Sequence, residues 1–240
     1  GTTSGVKLPD GNWIADDRKG LVIADATSAC FAMELPWSKL DVVTFSLQKA
    51  LGGEGAHGVM ILSPRAVERL NSHTPSWPIP KLFRLISKDK FNAAIFSGNT
   101  INTPSLLVIE DALDALLWAQ SIGGLQALIE RSDSCLAAIK RWVEDSSIFG
   151  FLAKDPATIS NTSVTISIID SWFVALKDYE KSAFAAALAA RLAVEDVGYD
   201  LASYRDAPAG LRIWAGPMVD VKDIESLLPW IDWAYAEERA

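Results

Sequence analysis

The sequence predicts an α/β chain, and three observations point that way. Short apolar runs of four to six residues recur in the first quarter, each bounded by Gly, Pro, Asp or Ser. Longer segments with apolar residues at helical spacing separate and follow them. A Gly123-Gly124 pair then ends one long helical pattern, and the remainder alternates helix and strand on a smaller scale. We therefore expect a large unit over residues 1–123 with a mainly parallel sheet and helices on its faces. A smaller α+β unit is expected over 124–240.

The elements follow in order. Leu21–Ala26, Val42–Ser46 and Gly58–Leu62 are apolar on both faces, which predicts buried central strands. Pro64 opens a helix to about Leu70, because the first helical turn has no N–H partner to lose, and Ser63 is its expected N-cap. Residues 71–99 mix Pro, Ser, Lys and aromatics without a period and read as a long surface loop. From Pro104 to about Gln120, Leu106, Leu107, Ile109, Leu113, Leu116 and Leu117 recur at helical spacing. Helices at Leu125–Val143, Lys181–Val197 and Val221–Ala236, and strands at Ser163–Ile169 and Leu211–Ala215, complete the reading.

Composition narrows the function classes. Half of the 240 residues are apolar and 22% are charged, as in a packed globular protein. A net charge of −8 works against nucleic acid and acidic membrane surfaces as partners. No apolar run reaches the roughly 20 residues of a membrane helix and no basic-then-apolar leader is visible, so a cytoplasmic protein is expected. Cys30 and Cys135 lack ligand spacing and are expected to be buried free thiols. Two histidines, His57 and His73, are too few for a metal cluster, so no metal is expected. Trp13 is expected on the surface.

Two residues stand where α/β sheets place their chemistry. Asp25 lies at the C-terminal end of the first strand, and Lys49 follows the second through Ser46-Leu47-Gln48. A lysine amine and a carboxylate are what pyridoxal phosphate requires, one for covalent attachment and one to keep the pyridine nitrogen protonated. The bland alternative is that Asp25 caps a local turn and Lys49 is a solvated loop cation; periodicity alone does not choose.

Four ordered motifs carry a family resemblance: Ala24-Asp25-Ala26-Thr27-Ser28, the run from Lys39 to Gly53, Ile101-Asn102-Thr103-Pro104-Ser105, and the segment from Arg205 to Trp214. Together they resemble the phosphoserine aminotransferase family, class V enzymes of the fold type I pyridoxal group. The resemblance implies the latter part of a fold type I large domain followed by a small α+β domain. It also implies pyridoxal 5′-phosphate as cofactor, Lys49 as the Schiff-base lysine and Asp25 as the pyridinium partner. Thr2 is similar to the threonine that approaches the cofactor's phenolic oxygen, and Gln48 to a phosphate-contacting glutamine. Asn102 and Thr103 resemble the pair that reaches the other subunit's cofactor phosphate, which implies a homodimer. Arg212 matches the arginine that clamps the substrate α-carboxylate. Arg205, beside Tyr204, falls near a substrate-phosphate cation at a slightly different spacing. Each has an ordinary reading too: Thr2, Gln48, Asn102 and Thr103 as turn or cap residues, Arg212 as an ion-pair member, His57 as a packing or hydrogen-bonding residue.

The implied reaction exchanges an amino group between phosphoserine with 2-oxoglutarate and 3-phosphohydroxypyruvate with glutamate, in serine biosynthesis. The family's glycine-rich phosphate turn, ring-stacking aromatic and N-terminal substrate cations have no counterpart after Gly1, so this stretch is expected to lack a complete site. Rival readings are a serine/alanine–glyoxylate type aminotransferase, a cysteine desulfurase and a catalytically incomplete fragment. Desulfurases carry His before the lysine, where this chain has Gln48. Glyoxylate-type enzymes carry Pro-Pro-Gly shortly after it, where this chain has Gly52-Gly53-Glu54-Gly55.

Overall fold

The structure is a computed structural model, and it describes residues 2–204 and 206–240. In the first half, β1 (Ile23–Asp25) pairs in parallel with β2 (Val42–Ser46), with Asp25 opposite Thr44. On its other side β2 pairs antiparallel with β3 (Gly58–Leu62). Helix α1 (Pro64–Ser72) starts as its sequence dictates: Pro64 occupies the first turn and Ser63 Oγ accepts from Ala66 N–H at 3.2 Å. Helix α2 (Leu106–Ser121) covers one face of the sheet, where Val108 joins Val43, Phe45 and Leu47 in one core.

That sheet is less buried than its apolar sequence predicts. Ile23 is 70% exposed, and Met60 and Ile61 are each 42% exposed. Ile23 and Met60, paired with Val42 and Thr44, lie on the face away from α2, whereas Ile61, paired with Val43, shares the α2 face and is exposed because β3 is the edge strand. Residues 71–99 also hold more than loop, namely two 3-10 turns and a hairpin of β4 (Ile86–Ser87) and β5 (Lys90–Phe91). Residues 9–19 form turns without strands, and Trp13 is exposed.

Gly123 and Gly124, at φ +118° and +74°, reverse the chain into α3 (Gly124–Glu144). Among the described residues no single helix is long and apolar enough to cross a membrane; α2 and α3 together pass on length and composition but are bent by 86°. The second half builds an antiparallel sheet of β6 (Phe149–Phe151), β7 (Ser163–Ile168) and β8 (Gly210–Trp214), with β7 central. Helix α4 (Ser171–Ala175), α5 (Asp178–Val194) and α6 (Val221–Arg239) complete it. Strand β6 and α4 are absent from the sequence reading, and α5 starts three residues before the expected Lys181. The short Asp170-capped α4 and the Glu180 carboxylate accepting from Lys177 N–H at 2.8 Å set these starts.

This half holds a larger core, in which Ile139, Val164, Ile166, Leu188, Leu192, Leu211 and Ile231 are fully buried. Each such side chain contributes roughly 2 kcal/mol of apolar burial. Cys135 lies in this core and Cys30 in the first, both as free thiols, as expected.

Two contacts lock the halves together. Val6 bridges Ile159, and Gly5, at φ +77°, lies so close to Thr165 that a Cβ there would meet the Thr165 nitrogen at 2.7 Å. Buried Asn161 donates from Nδ2 to Ala32 O at 2.9 Å and to Asp133 Oδ1 at 2.7 Å, joining the turn after β1 to α3.

Candidate active site

Because β1 and β2 run parallel, their C-terminal ends open on the same side. Asp25 is the last residue of β1, and Lys49 follows β2 by three residues. The turn holding Lys49 is fixed from below by Leu47, Ala50 and Leu51, all buried. It closes through Gly52 N–H to Lys49 O and Gly53 N–H to Leu47 O, each at 3.0 Å. Gly52 sits at φ +67°, which favours glycine. Alternation along the turn leaves Gln48 exposed, its side-chain amide against Gly55.

The Asp25 carboxyl accepts from the Thr27 hydroxyl at 2.6 Å and the Thr27 N–H at 3.0 Å. The hydroxyl bond first, then the amide bond, hold its pKa below the usual carboxylate value against partial burial. Asp25 thus stays charged, as a pyridinium partner must. The same bonds are those of a local turn, and Asp25 does not touch Lys49. A cleft of about 450 Å³ is lined by Asp25 and Thr2 together with Trp13 and Met33. Thr2 spends its hydroxyl locally, on Ser4 Oγ at 2.7 Å and Val6 O at 3.0 Å.

From the second half, β8 brings Arg212 and Trp214. These two alternate with buried Leu211 and Ile213, so both face the same side. Lys49 Nζ lies over the Trp214 ring, 5.2 Å from its centroid, which puts Arg212 on the sheet face that meets Lys49. Arg212 is engaged, its guanidinium 2.9 Å from Asp200 Oδ2. Asp200, largely exposed, holds φ +53°, a left-handed conformation for a non-glycine residue.

Asn102 and Thr103 are exposed and precede the first turn of α2, which starts at Leu106 and not at Pro104. Ser105, the N-cap residue, has an extended backbone, and its N–H is donated to His57 Nε2 at 3.1 Å. His57 is thereby a tether between the β2–β3 connection and the Asn102-Thr103 loop. Arg205 lies outside the described residues; neighbouring Tyr204 is exposed. Among the described residues no cluster of His, Cys, Asp or Glu could hold a metal ion.

Sequence reasoning missed Trp214 as a neighbour of Lys49, since their proximity comes from packing between halves 165 positions apart. It also missed Asp41, a buried carboxylate just before β2. Asp41 accepts from Val22 N–H at 2.8 Å, Arg18 at 2.9 Å and Ser63 Oγ at 3.1 Å. Burial pushes its pKa up, but these donors outweigh burial and leave it below the usual value. This network fixes the entry of β2 and hence the strand that carries Lys49.

No protein-family model matches the chain. A protein named phosphoserine aminotransferase from Methanosarcina mazei is 53% identical over 235 residues, covering 98% of this chain and 61% of the relative. The chain is similar to phosphoserine aminotransferases. It spans 61% of the length of the Methanosarcina mazei relative and of another phosphoserine aminotransferase, from Methanosarcina barkeri. The crystal structure of a phosphoserine aminotransferase from Cytophaga hutchinsonii superposes with a TM-score of 0.74 at 20% identity, covering 97% of this chain and 61% of that one. A phosphoserine aminotransferase from Trichomonas vaginalis, described as bound to pyridoxal phosphate, also gives 0.74, at 17% identity, with 97% and 58% covered. The fold is therefore the one these phosphoserine aminotransferases share, the latter part of a fold type I transferase, as the sequence led us to expect.

Proposed function

We propose that the protein, at its full length, is a pyridoxal-phosphate-dependent aminotransferase that exchanges an amino group between phosphoserine with 2-oxoglutarate and 3-phosphohydroxypyruvate with glutamate. The observation that carries this reading is the placement of Asp25 and Lys49 at the same end of adjacent parallel strands, with Arg212 approaching from β8. The 53% identity to a phosphoserine aminotransferase supports the substrate pair over the glyoxylate-type rival, as does the glycine-rich turn after Lys49, while Gln48 speaks against a desulfurase.

The residues fit the cofactor in kind. Asp25 is charged and faces a cleft, and Lys49 is a cation without an ion-pair partner among the described residues. When bound, pyridoxal phosphate supplies an electron sink for the substrate's Cα bond. Lys49 would hold the cofactor and, once displaced by the incoming amine, carry the proton from Cα as general base and return it as general acid. Arg212 would release Asp200 and take the α-carboxylate in a two-point grip. Thr2 and Gln48 would contact the cofactor's oxygens, and Arg205 the substrate phosphate.

We further read the protein as a cytoplasmic homodimer of serine biosynthesis, without nucleic-acid or membrane partners, in which Asn102 and Thr103 serve the partner's cofactor phosphate. The exposed leucines of α2, Leu106 at 72% and Leu107 at 74%, support an apolar contact beside that loop. The two separate cores support a cofactor unit over 1–123 and a small unit over 124–240. The test is direct: purified full-length protein with pyridoxal phosphate, phosphoserine and 2-oxoglutarate should form glutamate and discriminate strongly against unphosphorylated serine. Equal turnover of alanine with glyoxylate would favour the rival.

A further inference from the structure

Lys49 and Trp214 come from different halves of the chain, and the ring that faces the ammonium is itself held in place. Trp214 ends β8, a strand paired along its length with central β7. Beyond it, Gly216 gives the indole its bed: a Cβ there would stand 2.4 Å from ring atom Cζ2. The turn that carries Lys49 rests on the same segment, since a Cβ on Gly52 would meet the Met218 methyl at 3.1 Å. Among the described residues the lysine ion pairs are those of Lys39 and Lys181, so the partner of the Lys49 ammonium is the indole face and not a carboxylate.

From this we infer that Trp214 is a positioning residue for Lys49, its indole face holding the ammonium whenever the amine is not bonded to cofactor. The inference rests on the reading of Lys49 given above. The physical case is one of matched strength. The negative face of an indole attracts an ammonium ion, and Trp is the best of the aromatic residues at this. It confines a four-carbon stem that would otherwise sample many rotamers. A carboxylate in the same place would attract more strongly and would accept the proton's hydrogen bond. The ring offers no such acceptor, so the amine can give up a proton and leave. A lysine that must alternate between two bonding states needs a holder of that kind.

The test uses the cofactor-free, full-length protein with its lysines reductively methylated with a carbon-13 label, which keeps their charge. The Lys49 resonance is assigned by its loss in Lys49→Arg. It should stand upfield of the other lysine methyls through the ring current of Trp214, fall back among them in Trp214→Leu, and stay displaced in Trp214→Phe. Gly216→Ala, which moves the ring without removing it, should change the displacement, and it guards against a Leu variant that fails to fold. A Lys49 resonance that already lies among the others, or one unmoved in Trp214→Leu, overturns the inference. Borohydride trapping on the cofactor-loaded protein separates the two readings. A label on Lys49 without any ring-current displacement overturns the Trp214 role alone, whereas a label on another lysine overturns both.

Discussion

Thr27 gives Asp25 both its hydroxyl and its amide hydrogen, and these two bonds are the main reason its pKa lies below the usual carboxylate value. Asp25→Asn should therefore leave cofactor binding in place and slow transamination roughly a hundredfold or more, because removal of one fixed charge at a reacting centre commonly costs that much. Steady-state kinetics beside a cofactor absorbance titration checks this; equal turnover would remove Asp25 from its role. Asp41 makes a different prediction, about stability. Its folded pKa is depressed, so its contribution is complete above the unfolded value of about 4 and is lost as pH falls from there through the lower folded value. Asp41→Asn should cost about 2 kcal/mol at pH 7, the usual worth of hydrogen bonds to a buried charge, and should flatten the acid limb of the unfolding curve. Lys49 was legible from its run with Gln48 and the glycines after it. Asp41 and Trp214 were not, since their partners Arg18, Val22, Ser63 and Lys49 are assembled only by tertiary packing.

At the scale of elements, the long amphipathic helices and the three apolar strands of the first half were legible because periodicity and punctuation agree there. The β4–β5 hairpin was not: its turn residues Lys88 and Asp89 both take positive φ, +52° and +61°, without the Asn-Gly or Asp-Gly signature such turns favour. Helix α2 starts at Leu106 and not at Pro104, with Ser105 as its extended N-cap residue, whose N–H goes to His57, a bond no helical pattern reveals. If that tether positions Asn102 and Thr103, His57→Ala should weaken cofactor affinity several-fold, consistent with loss of one hydrogen bond of about 1 kcal/mol, while Lys49 still traps. Unchanged affinity would reduce His57 to packing. The junction between halves offers a further check: Asn161→Ala, which removes one buried and one part-buried hydrogen bond, should cost about 2 kcal/mol in denaturant unfolding.

For the whole molecule, the exposed apolar surface is concentrated where the first half is uncovered. Ile23 and Met60 on the sheet and Leu106, Leu107, Leu113 and Leu117 on α2 leave more apolar surface open than a lone domain ordinarily shows. In the full-length homodimer a Leu107→Asp substitution should weaken association at least roughly tenfold in sedimentation, since a charge buried in a contact costs well over the 1.4 kcal/mol that tenfold represents. Full-length protein loaded with pyridoxal phosphate, reduced with borohydride and mapped by peptide should carry the label on Lys49, and Lys49→Ala should carry none. A label on any other lysine would contradict the account.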